Sequence, residues 1–508
     1  MSKARSLYLT LTRSRETGWT FAVVGALAYV AYLIVGHAHH EMWRDEIHPW
    51  TLARQADGFW DLVTGDRVYE GHPPVWYWYL RFWTFLTRRS WGIHAATVAA
   101  MGVAALLFLR YAPFPRLLKL LLLASYLLGF EYGVLSRNYT ATWLLVVTFC
   151  CLLQPLRPRF LLLALVLAMV ALTTAFGTFI ACALALMMVP LGVHFDGSES
   201  TMSAATVRVS PRFLLGAAVF LAALGFFAWN TPPPDPNYCD PGWHPEALNA
   251  DNVEVAFRRL VHAFLPLRPF HDPSYWTDWE HFWNQHLTLT LGVGIVLLAS
   301  IIVALLPGWF EIGGLVVGYV LMATFTIVRY GVEMRHLGNF FLLFIAADWV
   351  HRVKAPRRNH IVSTVLLFIC AGFQIQSFAA SATADWKYSF SGGRDMAAWI
   401  EDQHLQDIQI VAGPDALVLT VTSYLDRPFI SSQTEEINVT QVFHSRRRPF
   451  SPEALVERAA QEVRSKHKPV LVLTSGLLPN PSGGLKLELL KETHGSQDEN
   501  FDLYRMQE

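Results

Sequence analysis

Residues 73–87 read PPVWYWYLRFWTFLT, and whether this stretch crosses a bilayer decides the side on which every later loop lies. It carries Trp76, Tyr77, Trp78, Tyr79, Phe82, Trp83 and Phe85 around a central Arg81. At 15 residues it is shorter than the ~20 a spanning helix needs. Amphipathic rings with a cation among them are the profile of a helix lying in the interface. The basic residues agree, because cytoplasmic loops collect Lys and Arg. Lys3, Arg5, Arg13 and Arg15 place the N-terminus inside. With 73–87 flat, three acid-free loops fall on that same side. They hold Arg110, Arg116 and Lys119, then Arg157 and Arg159, then Arg352, Lys354, Arg357 and Arg358. Letting 73–87 cross would put all of these outside.

Outward from that segment, the chain reads as a polytopic α-helical membrane protein. Of 508 residues, 53% are apolar and 16% charged, and mean hydropathy is +0.31. A soluble chain carries about 25% charge. Lys plus Arg and Asp plus Glu both number 40, which leaves no basic surplus for nucleic acid. The cysteines form no C-x-x-C pair, and Cys150, Cys151, Cys182 and Cys370 lie in apolar runs, so neither a disulfide framework nor a cysteine zinc site is expected. Spans are expected near 18–36, 91–109, 117–134, 139–154, 160–176, 177–193, 213–229, 287–306, 309–328, 338–350 and 361–380. Eleven crossings from an inside N-terminus leave the C-terminus outside. Residues 1–380 then form the transmembrane domain, with outer loops 37–90 and 231–286. The tail 381–508 changes character. Helical patterns at 394–403, 414–425 and 451–466 alternate with the strand-like IQIVAG (408–413) and PVLVLTS (469–475), which suggests a small α/β domain. Gly392-Gly393 reads as a turn.

The polar residues facing outward carry the chemistry. The first outer loop begins HAHHEMWRDEIHPW, with Asp45 and Glu46 directly after a membrane helix, where unpaired acids are costly. Acids in a first helical turn also favour the macrodipole, so a plain helix start explains them equally. The loop ends at His72-Pro73-Pro74, a stop before the interfacial helix. Arg137 and Tyr139 stand after the third span, and Arg329, Arg335 and His336 between the ninth and tenth. Outer arginines run against the inside bias. Their planar fork suits phosphate oxygens, and lipid-headgroup anchoring is the plainer alternative. His37, His39, His40 and Glu41 cluster in sequence, which reads as an interfacial group rather than as metal ligands. Trp243, Tyr275, Trp276, Trp279 and Trp283 suit either sugar stacking or an aromatic belt.

Together these residues resemble the GT-C fold membrane glycosyltransferases, in the branch of protein O-mannosyltransferases and lipid A aminoarabinose transferases. The resemblance rests on Asp45-Glu46, on His72-Pro73-Pro74 before an aromatic helix, on Arg137-x-Tyr139 and, more loosely, on Arg335-His336. It covers the order of elements over residues 18–350. An outward α/β domain after the last span also occurs in several of these families. The chain departs from the mannosyltransferases in lacking an inserted β-trefoil domain.

The resemblance implies a polyprenyl-phosphate sugar as donor and a lipid, glycan or protein as acceptor. In that chemistry the phosphate leaves readily, so the site needs a base for the acceptor's proton and cations for the departing phosphate. Asp45 would be the base, with Glu46 orienting it or touching the acceptor. Arg137 and Arg335 would hold the phosphate, Tyr139 and His336 would assist, and His72 and Arg329 would complete the substrate site. A single displacement inverts the sugar. No cofactor is expected. The rival is a lipid-linked sugar transporter or flippase, for which charges or broken helices at the bilayer midplane are expected. A structural docking protein would leave Asp45 unexplained.

Overall fold

The computed structural model describes residues 18–64, 72–153, 159–196, 206–231, 244–270, 281–329, 333–441 and 447–508. In chain order, the first half contains α1 (Trp19–His39), α2 (Arg44–Gln55), α3 (Val75–Thr84), α4 (Gly92–Tyr111), α5 (Arg116–Leu123), α6 (Tyr139–Leu153), α7 (Phe160–Ala171), α8 (Ala175–Gly192) and α9 (Pro211–Asn230). Then come α10 (Ala250–Phe264), α11 (Leu287–Leu305), α12 (Trp309–Val328), α13 (Met334–Lys354) and α14 (Ile361–Lys387). Among the described residues, α1, α4, α8, α9, α11, α12 and α14 are long and apolar enough to cross a membrane. They are apolar on nearly all sides, as expected where lipid replaces water around the bundle.

The remaining expected spans also fall on helix, with differences. Helices α6 and α7 are apolar but shorter. Helix α13 is one 21-residue helix, charged towards its ends by Arg335, Asp348, Arg352 and Lys354. The 117–134 span is not one helix. Helix α5 stops at Leu123, and Ser125 caps a π-helical turn, Tyr126–Glu131, by accepting from the Leu128 N–H. Lys119, expected in a loop, is buried in α5 and donates to the Leu109 carbonyl at the end of α4. Helix α14 continues past 381 to Lys387. The decisive segment 73–87 forms α3, ten residues or about 15 Å of helix, roughly half the hydrocarbon thickness. Its Trp76 and Leu80 pack on Ile47, Trp50 and Ala53 of α2 and on Ile93 of α4.

After α14 the chain builds a separate α/β layer. A six-stranded sheet has the order β5-β4-β3-β6-β8-β7, where β3 is Ile410–Ala412, β4 Phe429–Ser431, β5 Ile437–Asn438, β6 Val470–Thr474, β7 Lys486–Thr493 and β8 Phe501–Gln507. Strand β3 runs parallel to both β4 and β6, and the two strands read from sequence are thus direct neighbours. The two-residue alternation divides the core. Ile410, Ala412, Leu471 and Leu473 face α15 (Gly393–Asp402) and α16 (Asp415–Tyr424). Val411, Val470 and Val472 face α17 (Pro452–Lys466). Another hairpin, β1 (Val193–Asp196) with β2 (Thr206–Val209), extends from α8 into α9, a pair of strands not among the expected elements.

Candidate active site

The site begins where α1 ends. The chain turns at His40 and re-enters helix at Arg44, with Trp43 as the N-cap of α2. Glu46 accepts from the Trp43 backbone N–H at 3.4 Å and closes a capping box, so both acids sit in a first turn where the macrodipole favours them. This first turn of α2 therefore fixes the Asp45 carboxylate.

Asp45 Oδ2 accepts from Arg137 Nη1 at 2.5 Å and lies 3.7 Å from Arg335 Nη2. Its side chain remains 29% exposed, whereas both arginines are nearly buried. Burial pushes the Asp45 carboxyl up, but Arg137, Arg335 and Arg44 outweigh it and hold the group well below the usual carboxylate range. Trp43 is the floor: the guanidinium carbons of Arg137 and Arg335 stand 5.7 and 5.6 Å from its ring centroid, and that of Arg44 stands 5.1 Å away. Two guanidinium groups thus share one carboxylate at a partly open position.

Arg137 is positioned by the turn after the π-helical segment. The N–H of the preceding Ser136 donates to Glu46 Oε1 at 2.6 Å. Glu46 is fully buried, and its Oε2 faces His40 Nε2 at 3.0 Å. The other ring nitrogen of His40 faces Asp385 Oδ1 at 2.8 Å, near the end of α14. Burial opposes charging His40, but Asp385 and Glu46 prevail and raise its pKa to about 10. A buried imidazolium therefore joins the end of α1, the start of α2 and the end of α14. Glu46, with no exposed surface, links Ser136 to His40 and is out of reach of an incoming molecule. Arg335 is fixed by its own backbone, whose carbonyl accepts from Tyr132 Oη at 2.9 Å.

The other expected residues divide between two places. Tyr139 stacks on Tyr132 with ring centroids 5.1 Å apart, and His336 stacks on Phe176 at 5.4 Å and meets Tyr139 edge-on at 6.2 Å. His336 Nδ1 accepts from the Glu333 N–H that starts α13. His72 lies within electrostatic reach of His336. Arg329 goes elsewhere: it follows α12 and lines a cleft of about 330 Å³ with His244, Asn252 and Arg259. Of the aromatic residues in 231–286, Trp283 is buried and donates to the Leu265 carbonyl at 2.8 Å, which makes it a packing residue. Trp243, Tyr275, Trp276 and Trp279 lie outside the described residues, as do Cys239, Tyr330 and the basic N-terminus. Among the described residues no group of three His, Cys, Asp or Glu is placed to hold a metal.

Several residues of the site have no local sequence signature. The C-terminal domain closes over the first outer loop. Arg44 donates its backbone N–H to Glu499 Oε1 at 2.9 Å, Arg394 pairs with Glu41 at 2.9 Å, and Arg54 pairs with Asp426 at 2.8 Å. Burial raises the Glu499 carboxyl to about 7 against the pull of Arg44 and Ser391. Asp385 alone carried a visible cue, as an acid near the end of an apolar helix.

No protein-family model and no curated protein matches this sequence. The fold does have solved counterparts. The chain is a multi-pass helical membrane protein of the GT-C fold with a C-terminal α/β domain. It is similar to the crystal structure of ArnT from Cupriavidus metallidurans in the apo state, at 11% identity and a TM-score of 0.50, over 95% of this chain and 97% of that one. A crystal structure of the same ArnT bound to undecaprenyl phosphate gives 12% identity and a TM-score of 0.49, over 96% and 98%.

Proposed function

We propose that the chain is a membrane glycosyltransferase that moves a sugar from a polyprenyl-phosphate donor to an acceptor on the outer face. The observation that carries this reading is the single partly exposed carboxylate of Asp45 held between Arg137 and Arg335. Two guanidinium groups facing one carboxylate leave a positive surplus suited to a phosphate. When the donor's phosphate takes up the arginine donors, Asp45 loses the partners that depress its pKa and becomes a stronger base. It then accepts the proton of the acceptor's nucleophile as that atom attacks the anomeric carbon. The bond from that carbon to the phosphate oxygen breaks, and its electron pair leaves with the phosphate, whose charge the arginines stabilise. Base and leaving group lie on opposite faces of the sugar, so the configuration inverts. A flippase would need no carboxylate at this position.

Asp45→Asn tests the reading. Asn keeps the shape but cannot take the proton, so transfer should fall by about 10²- to 10⁴-fold. The thermal unfolding midpoint should stay near that of the wild type. Near-normal turnover would remove Asp45 from the chemistry, and undiminished movement of lipid-linked sugar across vesicles without any transfer in the wild type would favour the flippase.

A further inference from the structure

Between α1 and α4 runs a groove of about 790 Å³. This volume lies in the range of ligand cavities. Its walls at one end are Val30, Ile34, Val98 and Val103. Ile34 and Val103 are exposed on the outside of the bundle, where apolar side chains meet lipid. The groove closes below at Gly102, where an added Cβ would stand 2.7 Å from Val30 Cγ2. At the other end the lining turns polar. The rings of His37 and His94 lie tilted by 30° with centroids 4.6 Å apart, and Arg394 and Tyr424 of the C-terminal domain form a roof. The Nε2 of His94 is buried without a hydrogen-bond partner among the described residues.

We infer that this groove binds an anionic bilayer phospholipid, with one acyl chain between α1 and α4 and the phosphate beneath Arg394. An occupant must be hydrocarbon at one end and polar at the other, with the polar end at the membrane boundary. Arg394 supplies the charge preference. It gives Nη2 to Glu41 at 2.9 Å, and its side chain stays 44% exposed, which leaves further guanidinium donors for phosphate oxygens. The stretch of α1 from Val30 to Ala38 rises about 12 Å, enough for part of one acyl chain. Neither Arg137 nor Arg335 lines the groove, although His40, which braces that site, does. The bound lipid would tie the roof helices α15 and α16 to the membrane helices.

The test is native mass spectrometry of the delipidated full-length protein, titrated with dioctanoyl phosphatidylglycerol or with dioctanoyl phosphatidylcholine. The wild type should bind the anionic lipid about tenfold more tightly, the scale of one charge-assisted hydrogen bond. Arg394→Gln should abolish the preference while keeping weak binding of both lipids. Ala99→Phe, from a position lining the groove, should lose both; Val103→Phe, at an exposed position, serves if the first variant does not fold. Equal affinity for the two lipids, or an unchanged preference in Arg394→Gln, overturns the inference. So does displacement of the lipid by inorganic phosphate, which would mean a free-phosphate site, or by polyprenyl phosphate at equal concentration, which would return the groove to the donor. None of these readouts depends on sugar transfer.

Discussion

At the scale of single residues, the pairing of Asp45 with Arg137 and Arg335 has a consequence for pH. The arginines keep Asp45 ionised well below the usual carboxylate range in the free protein. Its contribution to stability is therefore present above about pH 4 and lost only as acid reaches the depressed value. A kcat/KM profile, which reports the free enzyme, should show no acidic limb from Asp45 near neutrality, whereas kcat, which reports the bound complex, should show one at higher pH. Identical limbs would mean that the arginines do not leave Asp45 when donor binds. The same geometry predicts how the arginines respond to substitution. Arg137→Ala and Arg335→Ala should each weaken donor binding by roughly 1.5–3 kcal/mol, and together by an amount that is not their sum, because both act on one phosphate. Lys should rescue poorly for lack of the planar fork. Additive losses with full rescue, measured by donor titration, would make the two arginines lipid-headgroup anchors. Asp45, Arg137 and Arg335 were legible because each stands where an apolar run gives way to charge. Arg329 stands at the same kind of boundary, and sequence could not separate it from Arg335. One residue ends α12 and the other opens α13, and which way each points depends on packing.

At the scale of elements, the site depends on joints that join distant segments. His40 and Asp385 are 345 residues apart, so no local pattern reveals their bond. The His40 pKa is raised to about 10 in the fold. Its stabilisation is therefore complete below about pH 6.5 and is lost as pH rises through that raised value. Wild type and His40→Gln should differ most in unfolding midpoint near pH 6 and converge towards pH 10; a constant gap would mean that the clamp is not charged. A second joint lies between the π-helical segment and α13. The run 117–134 reads as one span because it is apolar throughout, and apolarity alone carries no mark of where the helix changes its hydrogen-bond register. The break brings Leu127 and Tyr132 against Gly338, where a Cβ would lie 2.4 Å from both side chains. Gly338→Ala should thus cost about 1–3 kcal/mol by overpacking. It should also weaken donor binding, since Tyr132 Oη holds the Arg335 carbonyl. Unchanged donor affinity at reduced stability would confine the joint to packing.

At the scale of the whole molecule, Asp45, Arg137, Arg335 and the C-terminal domain share one end of the bundle, while Arg352 and Lys354 lie 17 and more residues farther along α13, at the other. The sheet domain showed itself in outline through its two apolar strands and three helices. The β7–β8 hairpin did not, because Lys486–Thr493 is an exposed strand on the edge of the sheet with little apolar alternation. Orientation follows from the charge bias of the loops combined with the shortness of α3. If α3 lies flat, the end with Arg357 faces the cytoplasm and the end with the sheet domain faces outward. Leu477 is 80% exposed on that domain, and Arg357 is exposed in the loop between α13 and α14. A cysteine introduced as Leu477→Cys should react with a membrane-impermeant maleimide in intact cells. One introduced as Arg357→Cys should react only after the membrane is opened. Both variants keep Cys150, Cys151, Cys182 and Cys370 in the helical region and Cys239 in the sequence 231–286, so the unsubstituted chain sets the background. The reverse pattern would turn the molecule over, place Asp45 on the cytoplasmic side, and require a donor whose phosphate is presented there. Labelling of both sites from outside would mean that a span has been miscounted, and α5 with its π-helical turn, the least regular crossing, would be the first to remove.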